Sequence, residues 1–348
     1  MSASLLRMSI VVPVYNDRSN LVECLAAIRA TALPGTEVIV VDDGSTDGSG
    51  EVARRAGALT ISLDQNLGPA AARNHGAARA GGDVVFFVDS DVAVASDAAR
   101  RVADTFASDP TLAAVFGSYD ALPRAPGLIS QYRNLLHHFV HQQGSAEAST
   151  FWAGCGAVRR DSFLEVGGFD AGRFRRSTIE DIDLGYRLRR RGYRIRLDKA
   201  LLGTHFKAWT LYSVLKTDIF ARALPWSRLV LEGGGAPNDL NLKRGQRLSG
   251  LLVLLATAAL PLAPLHPSLV GLIAMALALV VALNWALYRF FLRARGLRFL
   301  AGALPLHWLY YLYSSLTYLG VWGWVHARRG LRQLAGLIPG SLPRSDRA

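Results

Sequence analysis

Three acidic groupings carry the strongest chemical signal in this chain: Asp42-Asp43-Gly44-Ser45, Asp89-Ser90-Asp91 and Glu180-Asp181. Two carboxylates about 4 Å apart repel by roughly 4 kcal/mol at an effective dielectric near 20, so Asp89 and Asp91 ask for a cation between them. Hard oxygen ligands suit Mg²⁺ or Mn²⁺, which could also bridge to a diphosphate and offset the charge that grows on it as it leaves. Asp-Ser-Asp also makes an ordinary capped turn; its place directly after the apolar run Val84-Val85-Phe86-Phe87-Val88 favours the functional reading. Glu180 and Asp181 fall in the first turn of a helix predicted over 177–191, with Ser177 or Thr178 as its cap. A helix N-terminus stabilises negative charge, which keeps a carboxylate ready as a base and equally explains a purely structural acid.

These residues need elements to hold them. Strand-like runs at Ser9–Val14, Glu37–Val41, Leu59–Leu63 and Asp83–Val88 alternate with a helix whose apolar face is Leu21, Cys24, Leu25 and Ile28, and with an Ala-rich helix over Pro69–Ala80 opened by Gly68-Pro69. Such alternation predicts an α/β fold with a parallel sheet, in which ligands gather at the carboxyl ends of strands. Three of the four runs end there in polar residues: Tyr15-Asn16-Asp17, Asp42-Asp43 and Asp89-Ser90-Asp91. The segment 106–203 is less regular, with a helix expected over 128–141, a strand over 151–158 and another over 193–197.

The chain has 348 residues, 51% of them apolar, and a formal net charge of +12. Between Leu248 and Tyr288, and again from Phe299 to His326, there is no Asp, Glu, Lys or Arg. The first stretch is long enough for two membrane passes, 248–264 and 268–288, turning at Pro261, Pro264 and Pro267. Basic residues flank it on both sides, Lys243, Arg244 and Arg247 before and Arg289, Arg293, Arg295 and Arg298 after, which puts both ends in the cytoplasm. Residues 299–326 form a third span or an interfacial helix, since Arg328, Arg329 and Arg332 beyond them would break the positive-inside rule in a third crossing. The expected division is a catalytic domain over 1–210, a juxtamembrane segment over 211–247 with a glycine-rich turn at 233–237, a membrane domain over 248–326 and a basic tail over 327–348.

Pro13, Asn16 and Asp17 break the first apolar run, so a signal peptide is not expected. Cys24 and Cys155 lack disulfide or zinc-ligand spacing. No Gly-x-Gly-x-x-Gly follows the first strand, and the phosphate-loop signature is missing, which argues against dinucleotide oxidoreductases and phosphate-loop NTPases. Nine arginines stand against three acids between Arg173 and Arg196, but no nucleic-acid recognition module accompanies them. Beside a bilayer they suit anionic headgroups, at about 1 kcal/mol per basic residue.

Over residues 8 to 210 the sequence resembles the family 2 glycosyltransferases. The likeness rests on five motifs in order: Ile10 to Asp17, Val41 to Asp47, Asn66 to Asn74, Asp89-Ser90-Asp91 and Glu180-Asp181. The resemblance implies a GT-A (nucleotide-diphospho-sugar transferase) fold, with C-terminal transmembrane helices added here, and an inverting transfer from a nucleotide-sugar donor. It implies that Pro13, Tyr15 and Asp17 line the nucleotide pocket, that Asp43 bonds the base or ribose, and that Arg73 reaches the base. It further implies that Asp89 with Ser90 meets the ribose, that Asp89 and Asp91 meet the metal, that His205 joins them, and that Asp181, beside Glu180, takes the acceptor proton. Trp152-Ala153-Gly154-Cys155-Gly156 resembles the segment that shapes the donor-sugar pocket. Processive synthases of the family carry Gln-x-x-Arg-Trp where His205-Phe206-Lys207-Ala208-Trp209 stands here, so transfer of one sugar to a lipid-linked or membrane-proximal acceptor is expected. A nucleotide-sugar-binding membrane protein without catalysis is the alternative.

Overall fold

A computed structural model describes residues 6–232 and 240–336. The glycine-rich turn expected at 233–237 and the end of the basic tail lie outside the described residues. Eight strands form one sheet: β1 (Met8–Val14), β2 (Glu37–Asp42), β3 (Leu59–Ser62), β4 (Val84–Val88), β5 (Val92–Val94), β6 (Leu112–Tyr119), β7 (Cys155–Arg159) and β8 (Arg194–His205). Their order is β3-β2-β1-β4-β7-β6-β8-β5. The first four run parallel, as the β–α alternation requires, and β6 is parallel to β8; β7 runs against both neighbours, and β5 runs against β8. Strands β1 and β4 are buried along their whole lengths, which is why they read as unbroken apolar runs.

Each pleat sends alternate residues to opposite faces. Ile10, Val12 and Phe86 pack with α1 (Arg18–Thr31), α2 (Ser49–Arg55) and α4 (Ala98–Ser108). Val11 and Phe87 pack on the other face with α3 (Pro69–Arg79), α5 (Leu128–Gln142), α6 (Arg160–Glu165) and α7 (Glu180–Arg190). The chain leaves β1 for β2 and β3 on one side and then crosses to place β4 on the other. The crevice at the carboxyl ends of β1 and β4 is therefore a topological switch point.

Several expectations shift. Residue 179, not Ser177 or Thr178, is the cap of α7, and no side chain caps it; instead the Glu180 carboxylate accepts the Thr178 amide at 2.8 Å. The strand expected over 151–158 begins only at Cys155, and the one expected to end at Leu197 continues to His205.

Beyond the sheet lie α8 (Leu211–Lys216), a π-helical turn Thr217–Ala223, α9 (Leu224–Glu232), α10 (Arg244–Ala259), α11 (Ser268–Leu283) and α12 (Trp285–Gly336), which breaks at Gly296 with φ of 80°. The helix Arg244–Leu262 is long and apolar enough to cross a membrane; α11 and Trp285–Arg328 meet that test only together, bent by 68°. The second span expected over 268–288 thus stops at Leu283. Asn284 holds the bend, donating to Ser249 Oγ at 3.0 Å and accepting from the Tyr311 hydroxyl at 2.8 Å. Leu287, Tyr288 and Phe291 then turn away from the hairpin and pack into the core beside α5.

Candidate active site

The loops that follow β1, β2 and β4 are laced together. Asn16, at φ of 48°, accepts the Thr46 amide at 2.8 Å, and its own amide donates to Ser45 Oγ at 3.0 Å. Ser90 donates to Asp17 Oδ2 at 2.8 Å, which joins the first strand end to the fourth. Burial pushes the Asp17 carboxyl up, and the Ser90 hydroxyl opposes that shift. Both oxygens of Asp43 accept backbone amides at 2.8 Å, from Leu67 and Gly68, so this carboxylate shapes the loop that opens α3. Gly68 has φ of 92°, and a Cβ there would stand 2.1 Å from the Arg175 carbonyl oxygen. Only glycine serves where this loop meets the segment before α7.

Arg73, one turn into α3, is 5% exposed and bridges two carboxylates: Asp89 at 2.7 Å and Glu180 at 2.9 Å. Burial works against its charge, and the two carboxylates more than restore it, holding the guanidinium firmly protonated. Residues 73, 89 and 180 thereby become one ion group, although Glu180 stands 107 positions from Arg73 in the sequence.

Strand β5 explains how His205 reaches the acidic loop. It pairs with the end of β8 so that Val92 faces His205, and the Phe206 amide donates to the Asp91 carbonyl at 2.9 Å. His205 Nε2 lies 3.4 Å from Asp91 Oδ2, and its ring stacks on Tyr119 at 4.2 Å. Burial opposes ionisation of Asp91, but His205 and Lys207 outweigh it and hold the carboxyl below its usual range.

Asp181 lies at the start of α7. Its Oδ2 accepts the Ala153 amide at 3.2 Å, and its Oδ1 accepts the Ile182 amide at 2.8 Å. Burial, reinforced by the neighbouring Glu180 charge, pushes this carboxyl up to about 7. The glycines at 154 and 156 make room for Trp152, whose indole lies 2.5 Å and whose carbonyl oxygen lies 2.2 Å from where their Cβ atoms would stand.

A cavity of about 550 Å³ opens over these strand ends. Of the residues singled out in the sequence, Pro13, Tyr15, Asp43, Arg73, Asp89, Ser90, Asp91 and His205 line it, whereas Asp17, Glu180 and Asp181 do not. Lys207 and Trp209 line it as well. Sequence reasoning did not single out Tyr119, Arg133, Asn134, His137 or Arg222, all of which contribute to the wall, and it read Arg175 and Arg176 only as part of an arginine run suited to lipid headgroups. One signal was present: Arg133, His137 and His141 recur every fourth residue in the helix expected over 128–141, which sets them on one face. Burial, with His141 and Arg133 nearby, keeps the His137 imidazole well below its usual pKa and hence neutral.

Among the described residues, no group of three His, Cys, Asp or Glu side chains is arranged to hold a metal ion. The Asp91–His205 pair, with Asp89 on the same wall, offers two or three donors. A small divalent cation bound partly by substrate phosphates needs no more.

Residues 9–167 match the family described as glycosyl transferase family 2. The chain is 25% identical over 227 residues to a poly-beta-1,6-N-acetyl-D-glucosamine synthase of Staphylococcus aureus, covering 62% of this chain and 52% of that protein. It is 37% identical over 98 residues to the glycosyltransferase AglE of Haloferax volcanii, covering 26% of this chain and 32% of that one. The chain thus spans about half the length of the first relative and a third of the second. Among solved structures, a mannosyltransferase of Pyrobaculum calidifontis in complex with GDP-Man and Mn²⁺ shares the fold, with a TM-score of 0.57 at 20% identity, over 91% of this chain and 88% of that one.

Proposed function

We propose, on the match of residues 9–167 to glycosyl transferase family 2, that this chain is a membrane-associated inverting glycosyltransferase that moves one sugar from a nucleotide-sugar donor to a lipid-linked or membrane-proximal hydroxyl. The observation that carries the proposal is the meeting of Asp89, Asp91, His205 and Arg73 on one cavity wall; Asp181, whose carboxyl is pushed up to about 7, follows Glu180, the partner of Arg73. The mannosyltransferase that shares the fold was solved with GDP-Man and Mn²⁺, which supports a donor diphosphate and a divalent cation in this crevice.

Asp91 and His205, with Asp89, would hold Mg²⁺ or Mn²⁺, which supplies charge neutralisation for the departing diphosphate. The protein does the rest. Pro13 and Tyr15 bound the nucleotide end of the cavity, and Asp43, through the Leu67 and Gly68 amides, fixes the loop beside it. The Arg73 guanidinium bridges Asp89 and Glu180 and so ties the fourth strand end to the start of α7. Asp181 removes the proton of the acceptor hydroxyl as its oxygen bonds to the anomeric carbon and the bond to the diphosphate breaks on the opposite side. One displacement inverts the centre, and no covalent enzyme intermediate is needed. Arg175, Arg176 and Lys207 on the wall balance the phosphate charge.

On this reading the hairpin of α10 and α11 anchors the chain in the cell membrane, with the catalytic domain on the cytoplasmic side, where nucleotide sugars are made available. The test is transfer and donor hydrolysis by the full chain in detergent across UDP, GDP and dTDP sugars, with Mn²⁺, Mg²⁺ or chelator. Asp91→Ala and Asp181→Asn should each abolish turnover, and Asp181→Asn should still bind donor. If Asp181→Asn keeps most of its activity, Asp181 is not the base.

A further inference from the structure

The donor cavity adjoins a second chamber of about 420 Å³, and Arg133, His137 and Arg222 line both. This chamber lies between α5, the turn Thr217–Ala223 with α9, the membrane-length helix α10, and α12. Its far wall is apolar, built from residues such as Leu136, Val140, Val230, Leu251, Leu254 and Leu319. Apart from Arg247 on α10, the charged side chains that line it, Arg133, Asp218 and Arg222, gather at the shared mouth. There Asp218 is 4% exposed, bonds Arg133 at 2.7 Å, accepts the Tyr313 hydroxyl at 2.6 Å, and lies 3.9 Å from Arg222. Two guanidinium groups thus share one carboxylate, which leaves the mouth positive. Arg133 Nε and His137 Nδ1 are moreover buried there without a hydrogen-bond partner, and buried polar atoms in a folded protein ordinarily have one.

A free phosphate would account for the cations and leave the apolar chamber without a purpose. A neutral hydrocarbon would fill the chamber and leave two guanidinium groups with one carboxylate between them. A single ligand satisfies both: an apolar chain that ends in a phosphate, delivered from the bilayer along α10. We infer that this chamber binds the hydrocarbon chain of a membrane lipid whose phosphate Arg133 and Arg222 hold at the junction with the donor cavity. That this lipid is, or carries, the sugar acceptor rests on the transferase reading above; the binding itself does not.

The experiment measures binding of farnesyl phosphate to the full chain in phosphatidylcholine nanodiscs, without donor, by quenching of tryptophan fluorescence with titration calorimetry as a second readout. Saturable binding is expected, with farnesol weaker by about tenfold or more, the weight of a charge-assisted hydrogen bond, and no displacement by equimolar inorganic phosphate. Arg222 is 43% exposed, so Arg222→Gln should fold normally and weaken farnesyl phosphate by about tenfold through the same loss. Leu254→Trp should weaken it by filling the chamber, with an unchanged melting temperature as the check on folding. Equal binding of farnesol, displacement by inorganic phosphate, or unchanged affinity in both variants would overturn the inference. Lipid binding without sugar transfer in the donor assay would instead overturn only the transferase reading.

Discussion

A carboxyl that must take a proton works best when its pKa lies near the working pH, and Asp181 meets that condition through burial and the adjacent Glu180 charge. Because the base form is the ionised one, kcat/KM should fall roughly tenfold per pH unit below about 7 and level off above it. The same raised pKa runs the other way for stability. Between the ordinary carboxylate range and about 7 the folded chain keeps a proton that the unfolded chain has lost, so this residue's contribution to stability declines as pH rises through that window. Asp181→Asn, assayed at pH 8 where the parent carboxyl is ionised, should turn over no donor. Arg73 presents the opposite case. Arg73→Met would leave Asp89 and Glu180 facing each other without a counter-charge, a loss of about 3–5 kcal/mol for a broken buried pair; urea unfolding should show it as a lower midpoint.

At the scale of elements, close packing sets where α7 lies. A Cβ on Gly185 would stand 2.3 Å from the Phe151 amide nitrogen, so the helix rests directly on the backbone of 150–151. That contact holds Asp181 against the Ala153 amide. Gly185→Ala must move α7 outward, at about 1–3 kcal/mol for an overpacked contact. It should lower kcat by more than its effect on donor affinity, which steady-state kinetics on the variant would measure.

At the scale of the whole molecule, the C-terminal helices and the sheet domain share a core. Leu287, Tyr288 and Phe291, which follow the bend at Asn284, are nearly inaccessible to solvent and pack with Tyr132, Leu135 and Leu136 of α5. Arg295 seals the contact from the edge, donating to Gln131 Oε1 at 2.8 Å and to the Ala121 carbonyl at 2.9 Å. A chain cut after Lys243 would expose that face of α5, and it should aggregate or elute as large species in size-exclusion chromatography. Phe291→Ala in the full chain should cost about 3–5 kcal/mol, as truncation of a buried aromatic does, and lower the melting temperature in detergent.

By itself the sequence determined what is local. Short apolar runs and strand-end chemistry announced β1, β2 and β4 with their polar tips, and the apolar spacing of Leu21, Cys24, Leu25 and Ile28 announced α1. The order of motifs pointed to the family before any coordinates. What only the tertiary structure decided is what depends on contacts far apart in the chain: β5 delivering His205 to Asp91, Arg73 committed to Asp89 and Glu180, and Asp43 given to its own loop. The same holds for Leu287 to Phe291, whose apolar character is as compatible with lipid as with a protein core. Periodicity records which face of an element avoids water, because burial acts on each side chain separately. It does not record which other surface does the covering, since the hydrophobic effect is proportional to area and blind to partner.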